Sequence, residues 1–123
     1  MRYMLLICGQ SHEGSKPPED GPADPATESW VDEMDGRGVR LMGDRLRPAS
    51  MATTVRVKDG EVLLSDGPFA ETKEQILGFD LLECADLDEA IEVASKHPAA
   101  LWGPIEVRPL WPFEAPSEEP EQA

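Results

Sequence analysis

Asp66, Glu71, Lys73 and Glu74 lie close together in the stretch DGPFAETKEQILG, residues 66–78. A lysine held between carboxylates keeps its charge and can orient a ligand carboxylate or enolate. If the chain is extended there, Glu71 and Lys73 point the same way. Asp66 opens the stretch as a loop organiser or general base, and Phe69 can anchor the loop in a core. His12 follows the first apolar run and is the best general acid/base by residue type. Arg45 and Arg56 fall on expected strands and could meet an anionic ligand in an otherwise acidic chain.

Each of these residues also has a purely structural reading. Asp66-Gly67-Pro68-Phe69 is a complete turn: Asp accepts backbone N–H groups, Gly tolerates unusual dihedrals and Pro fixes φ. Glu71, Lys73 and Glu74 also read as a solvated ion-pair cluster, His12 as an exposed loop histidine, and the two arginines as salt-bridge partners of nearby acids. His97 is assigned to a helix end, where the helix dipole accounts for it. Two distant histidines and two cysteines make no recognised metal-ligand spacing, and no phosphate-binding glycine loop or dinucleotide fingerprint occurs. Neither a metal nor a cofactor is expected.

The chain has 123 residues, with 25 acids against 11 bases and a formal net charge of −14. That length fits one domain, which buries roughly two-thirds of its unfolded surface without disulfides or metal. The negative field repels phosphate backbones and anionic bilayers, so direct nucleic-acid or membrane binding is not expected. It serves solubility, or an acidic interaction surface. Cys8 and Cys84 lie in apolar segments without a C-x-x-C pair and read as buried reduced thiols. The run Tyr3 to Cys8 is too short for a signal-peptide core and no stretch reaches membrane-spanning length, which makes a cytoplasmic protein the expectation.

RYMLLICG (2–9) reads as a strand buried on both faces, and residues 10–24 as an exposed loop. A first helix starts at Asp24-Pro25, carries Trp30, Val31 and Met34, and ends at Gly36 and Gly38. Val39 to Leu46 reads as a strand with Gly43 as a bulge or close-approach point. TTVRVK, the Asp59-Gly60 turn and EVLLS form a hairpin over 53–58 and 61–65. Gly78 to Cys84 is a further strand. A second helix follows, with Asp86 as cap and Leu87, Ala90, Ile91 and Ala94 at helical spacing. PIEVRPL (104–110) alternates as a last strand, and the acidic Pro-rich tail 112–123 is expected to be disordered.

Two β-α-β units in tandem with an inserted β-hairpin give an α+β, ferredoxin-like sandwich with both helices on one sheet face. The bare face calls for a second copy, so a homodimer is expected. The first strand is expected to lie parallel to the strand at 78–84, which would make Cys8 and Cys84 near neighbours.

The blocks MRYMLLICG, ATTVRVKDGEVLLSDGPFAETKEQILGF, DLDEAIEVASKHP and IEVRPL resemble, in that order, the YCII-related proteins, and the tetrapeptide DGPF (66–69) resembles the branch named for it. The resemblance covers residues 1–111 and implies a dimeric α/β barrel of ferredoxin-like subunits. It implies two kinds of function: a small-molecule-binding protein or cofactor-independent enzyme, or a regulatory interaction module associated with an extracytoplasmic-function sigma factor. The sequence departs from the branch in a Gly/Pro-rich loop and a short acidic first helix. YCII proteins proper are associated with a His-Asp dyad, and no motif here places His12 or His97 in that role.

Overall fold

The computed structural model describes residues 1–10, 24–67 and 74–114. The elements run β1 (Arg2–Gln10), α1 (Pro25–Gly36), β2 (Arg40–Arg45), β3 (Thr53–Lys58), β4 (Glu61–Asp66), β5 (Glu74–Glu83), α2 (Leu87–Ser95) and β6 (Ile105–Pro109), with short 3-10 turns at Ala49–Met51 and Pro98–Leu101. Four strands make one sheet in the order β2-β5-β1-β6, and β3 pairs with β4 in a separate two-stranded sheet. Every pairing among the described residues is antiparallel. This α+β architecture is compatible with a ferredoxin-like fold. No helix among the described residues is long and apolar enough to cross a membrane.

Local chemistry sets the helix ends. The Asp24 carboxylate accepts the Thr27 N–H at 3.0 Å and Pro25 occupies the first turn. At the other end Val39 N–H donates to Met34 O and Gly38 N–H to Asp35 O, closing the helix with Gly38 at φ 73°. In α2 the Asp86 carboxylate accepts the Glu89 N–H at 2.9 Å while the Glu89 carboxylate reaches back to the Ala85 N–H. Arg37 then ties the helices together, donating to both carboxylate oxygens of Glu92 at 3.0 and 2.8 Å. Arg37 first, then Lys96, pulls the Glu92 pKa down to about 2.

Strand alternation places the core. Tyr3, Leu5 and Ile7 of β1 and Leu82 of β5 point to the face covered by Trp30 and Met34 of α1 and by Ala90 and Val93 of α2. Met4, Leu6 and Cys8, with their register partners Leu81, Phe79 and Ile76, occupy the other face and are half-buried or exposed.

The pairing corrects one expectation. β1 and β5 are antiparallel, running from Arg2↔Glu83 to Gln10↔Glu74. In a tandem of β-α-β units, the two strands of each unit are parallel but not adjacent, and β5 inserts between β1 and β2 with reversed direction. Cys8 therefore pairs with Ile76 near one end of the sheet, while Cys84 N–H bonds Met1 O at the other. About seven residues of strand, roughly 20 Å, separate the two cysteines. β5 also begins four residues earlier than the expected Gly78, taking in the end of the charged stretch.

Candidate functional site

Four strand termini meet at one end of the main sheet. β1 stops at Gln10, opposite Glu74 where β5 starts. Arg45, the last residue of β2, lies opposite Gly78, and Leu46 N–H donates to Leu77 O at 2.8 Å. Cys8 N–H donates to Pro104 O at 3.0 Å and so holds the start of β6 at the same end. Packing there is close: a Cβ on Gly9 would lie 2.7 Å from Leu77 Cδ1 and 2.9 Å from Trp102 Cζ3. A side chain at Gly9 would push Leu77 and the indole away from the strand end. Trp102 remains 62% exposed, a flat apolar wall beside the strand ends.

Of the residues expected to do chemistry, Arg45 is at this sheet end and exposed. Arg56 is elsewhere, on β3 of the two-stranded sheet opposite Leu63. Asp66 is the exposed last residue of β4, opposite Thr53. The corner after it closes the hairpin: Gly67 N–H donates to Ala52 O at 2.7 Å, and the Thr54 hydroxyl donates to Gly67 O at 2.9 Å. With φ at 90°, Gly67 adopts a conformation that a side chain would strain. These bonds fix Gly67 at the open end of the β3–β4 ribbon. His12, Phe69, Glu71 and Lys73 lie outside the described residues.

The pattern described as the YCII-related domain matches residues 1–114. The chain belongs to the YCII-related family. An uncharacterized protein of Rhizobium meliloti (strain 1021) is 51% identical over 70 residues, which are 54% of this chain and 55% of that relative. The match thus spans little more than half of the relative's length.

Two buried polar groups of this YCII-related domain, Asp80 and His97, have roles that its sequence did not show. Asp80, 6% exposed, sits on the helix-covered face of β5 opposite Leu5. Arg40 on β2 donates through Nε to Asp80 Oδ1 at 2.8 Å, and its other nitrogens reach Asp35 Oδ1 and Gly43 O, each at 3.1 Å. Burial pushes the Asp80 carboxyl up and the guanidinium opposes it. A Cβ on Gly43 would run into Asp80 Oδ1 and lie 2.6 Å from Phe79 O, so this glycine is a close-approach point, as expected, while the β2 irregularity falls between Arg40 and Met42. Opposite charges at inward positions of two strands were the available signal, hidden until the register was known.

His97 is the second, and it corrects the helix-dipole assignment. α2 ends at Ser95, and His97 instead caps the following 3-10 turn, its Nδ1 accepting the Ala99 N–H at 2.9 Å. The ring packs 4.5 Å from the Trp30 ring, whose Nε1–H donates to Val93 O at 3.0 Å. Burial pushes the His97 pKa down against a smaller opposing pull from Asp24, which favours the neutral ring. Among the described residues no group of three or more His, Cys, Asp or Glu side chains could hold a metal ion.

Proposed function

We propose that this YCII-related protein works as a homodimer that holds a small anionic molecule, a carboxylate or its enolate, at the sheet end where β1 stops and β5 starts. Turnover there would be acid/base chemistry run by the chain's own groups, without a redox or metal cofactor. The register pair Gln10–Glu74 carries the reading. His12 follows Gln10 by two residues and Lys73 directly precedes Glu74. An extended residue spans at most about 3.6 Å, and this short chain spacing supports His12 and Lys73 as the groups that serve the sheet end. Arg45 terminates β2 at that end. In this reading His12 carries the proton, Lys73 with Glu71 stabilises developing negative charge, and Asp66 organises the loop or acts as base. Arg45 and Arg56 attract the anion, and Phe69 anchors the DGPF corner. The apolar sheet face of Met4, Leu6, Phe79 and Leu81 supports pairing of two copies as a dimeric α/β barrel.

A thermal-shift screen of 2-oxo acids, 3-oxo acids and aromatic carboxylates tests the ligand reading. A ligand at a hundred times its Kd stabilises by about 2.7 kcal/mol, a rise of roughly 10 °C for a domain of this size. The shift should vanish in Lys73→Ala and survive in Arg108→Ala. No stabilisation by any of the three classes overturns the reading. The competing reading, a regulatory module associated with an extracytoplasmic-function sigma factor, expects a basic protein partner, and no small acid, to raise the melting temperature.

A further inference from the structure

The β3–β4 ribbon has two chemically different faces. The opposed pairs Val55–Leu64 and Val57–Val62 put four aliphatic side chains on one face, whereas Thr54–Ser65, Arg56–Leu63 and Lys58–Glu61 occupy the other. The four aliphatics are 61–69% exposed, on strands bonded to each other in a sheet of their own. A lone two-stranded ribbon is marginal in water, and a long apolar one invites pairing with another chain. Such a face needs a cover.

Charge points to the cover. Residues 45–58 carry four of the chain's 11 bases and none of its 25 acids. The whole chain is −14 and this stretch contributes +4, so the remainder carries −18. Two copies repel each other over most of their surface, but the basic stretch leading into and along β3 attracts the acidic remainder of another copy. The rim of the open sheet face offers matching charge: Glu106 on β6 and Asp44 on β2 flank the apolar Leu6 and Phe79 on the outer strands, with Arg108 beside Met4. We infer that the β3–β4 ribbon is an arm that seats its aliphatic face on a second copy of this chain, beside the sheet-to-sheet contact. Each copy gives one arm and receives one, which closes the pair with two-fold symmetry. The arm rests on the dimer proposed above and adds to it the element that fastens the pair.

Sedimentation equilibrium of the full chain tests the arm and the dimer separately. Wild type is expected at twice its 13.5 kDa mass. Val57→Asp/Val62→Asp should sediment as a folded monomer, checked by far-UV circular dichroism, and the milder Val57→Thr/Val62→Thr should weaken association by about tenfold or more. The milder pair keeps β-branched side chains at the opposed positions and so keeps the test valid if the aspartates unfold the ribbon. If the ribbon variants dimerise like wild type while Leu6→Asp is monomeric, the arm is wrong and the dimer stands. If wild type is itself monomeric, both fall.

Discussion

Replacing Arg40 by methionine should expose how much the fold depends on one buried ion pair. Methionine keeps most of the aliphatic stem but removes the donor at 2.8 Å from Asp80 Oδ1 and the donor at 3.1 Å from Gly43 O. Asp80 is 6% exposed, so its carboxylate would lose its counterion without gaining water. Breaking a buried pair from one side costs about 3–5 kcal/mol. Because Asp80 can instead take up a proton, the low end applies, about 3 kcal/mol at neutral pH, or a fall in Tm of roughly 10 °C. The pH dependence has a definite sign. Burial already raises the Asp80 pKa, and without Arg40 it rises further. A raised carboxyl binds its proton more readily folded than unfolded, so the variant gains stability relative to wild type as pH falls toward the unfolded value of about 3.9. Urea unfolding at neutral and mildly acidic pH, with Asp80→Asn added to the variant, measures this. Asparagine should restore most of the loss. A defect below about 1 kcal/mol, or no recovery with Asp80→Asn, would refute the claim that an uncompensated charge is the cause.

Three further outcomes follow from the same geometry. Because burial depresses the folded His97 pKa, the unfolded chain binds the proton more readily, and stability should fall as pH drops through the unfolded value of about 6.5; His97→Asn should flatten that part of the pH profile in thermal melts, and an unchanged profile would contradict the buried neutral ring. Gly43→Ala should cost about 1–3 kcal/mol, because its Cβ meets the Phe79 carbonyl at 2.6 Å, whereas Gly36→Ala at the end of α1 meets nothing within 4 Å and should be neutral or stabilising; equal denaturation midpoints would refute the close approach. Burial pushes the Cys84 thiol up to about 11, so a thiol reagent should modify it in native protein about a hundredfold more slowly than an unperturbed thiol, and oxidation should not join it to Cys8. Mass spectrometry of labelled peptides checks both, and fast labelling of Cys84 would overturn its buried placement.

What the sequence made legible was local. Asp24-Pro25, Asp86 with Glu89, and Asp59-Gly60 each satisfy backbone needs within a few residues, and each appears where expected, with Asp59 and Gly60 both at positive φ. The apolar run 2–9 reads as buried on both faces, but in the subunit only Tyr3, Leu5 and Ile7 are packed under the helices, while Met4, Leu6 and Cys8 on the open face are half-buried. Long-range pairing was not legible. The antiparallel β1–β5 register overturned the Cys8–Cys84 proximity, and the Arg40–Asp80 bond exists only because β2 and β5 are neighbours. Pro98 reads locally as a helix stop, yet the role of His97 is set by Trp30 from a distant helix. For the candidate site, the sequence named Arg45, which ends β2 at that sheet end, but missed Trp102, because the closeness of an indole to Gly9 follows from tertiary packing alone.

The central claim, a small anion held where β1 ends and β5 begins, is tested most directly by titrating isotope-labelled protein with pyruvate and with benzoate while following backbone amides by NMR. Saturable shifts centred on Gly9, Gln10, Arg45, Glu74, Gln75 and Trp102 are the expected result, and Lys73→Ala should abolish them. Shifts absent at that sheet end, or found only in the helices, would contradict the account.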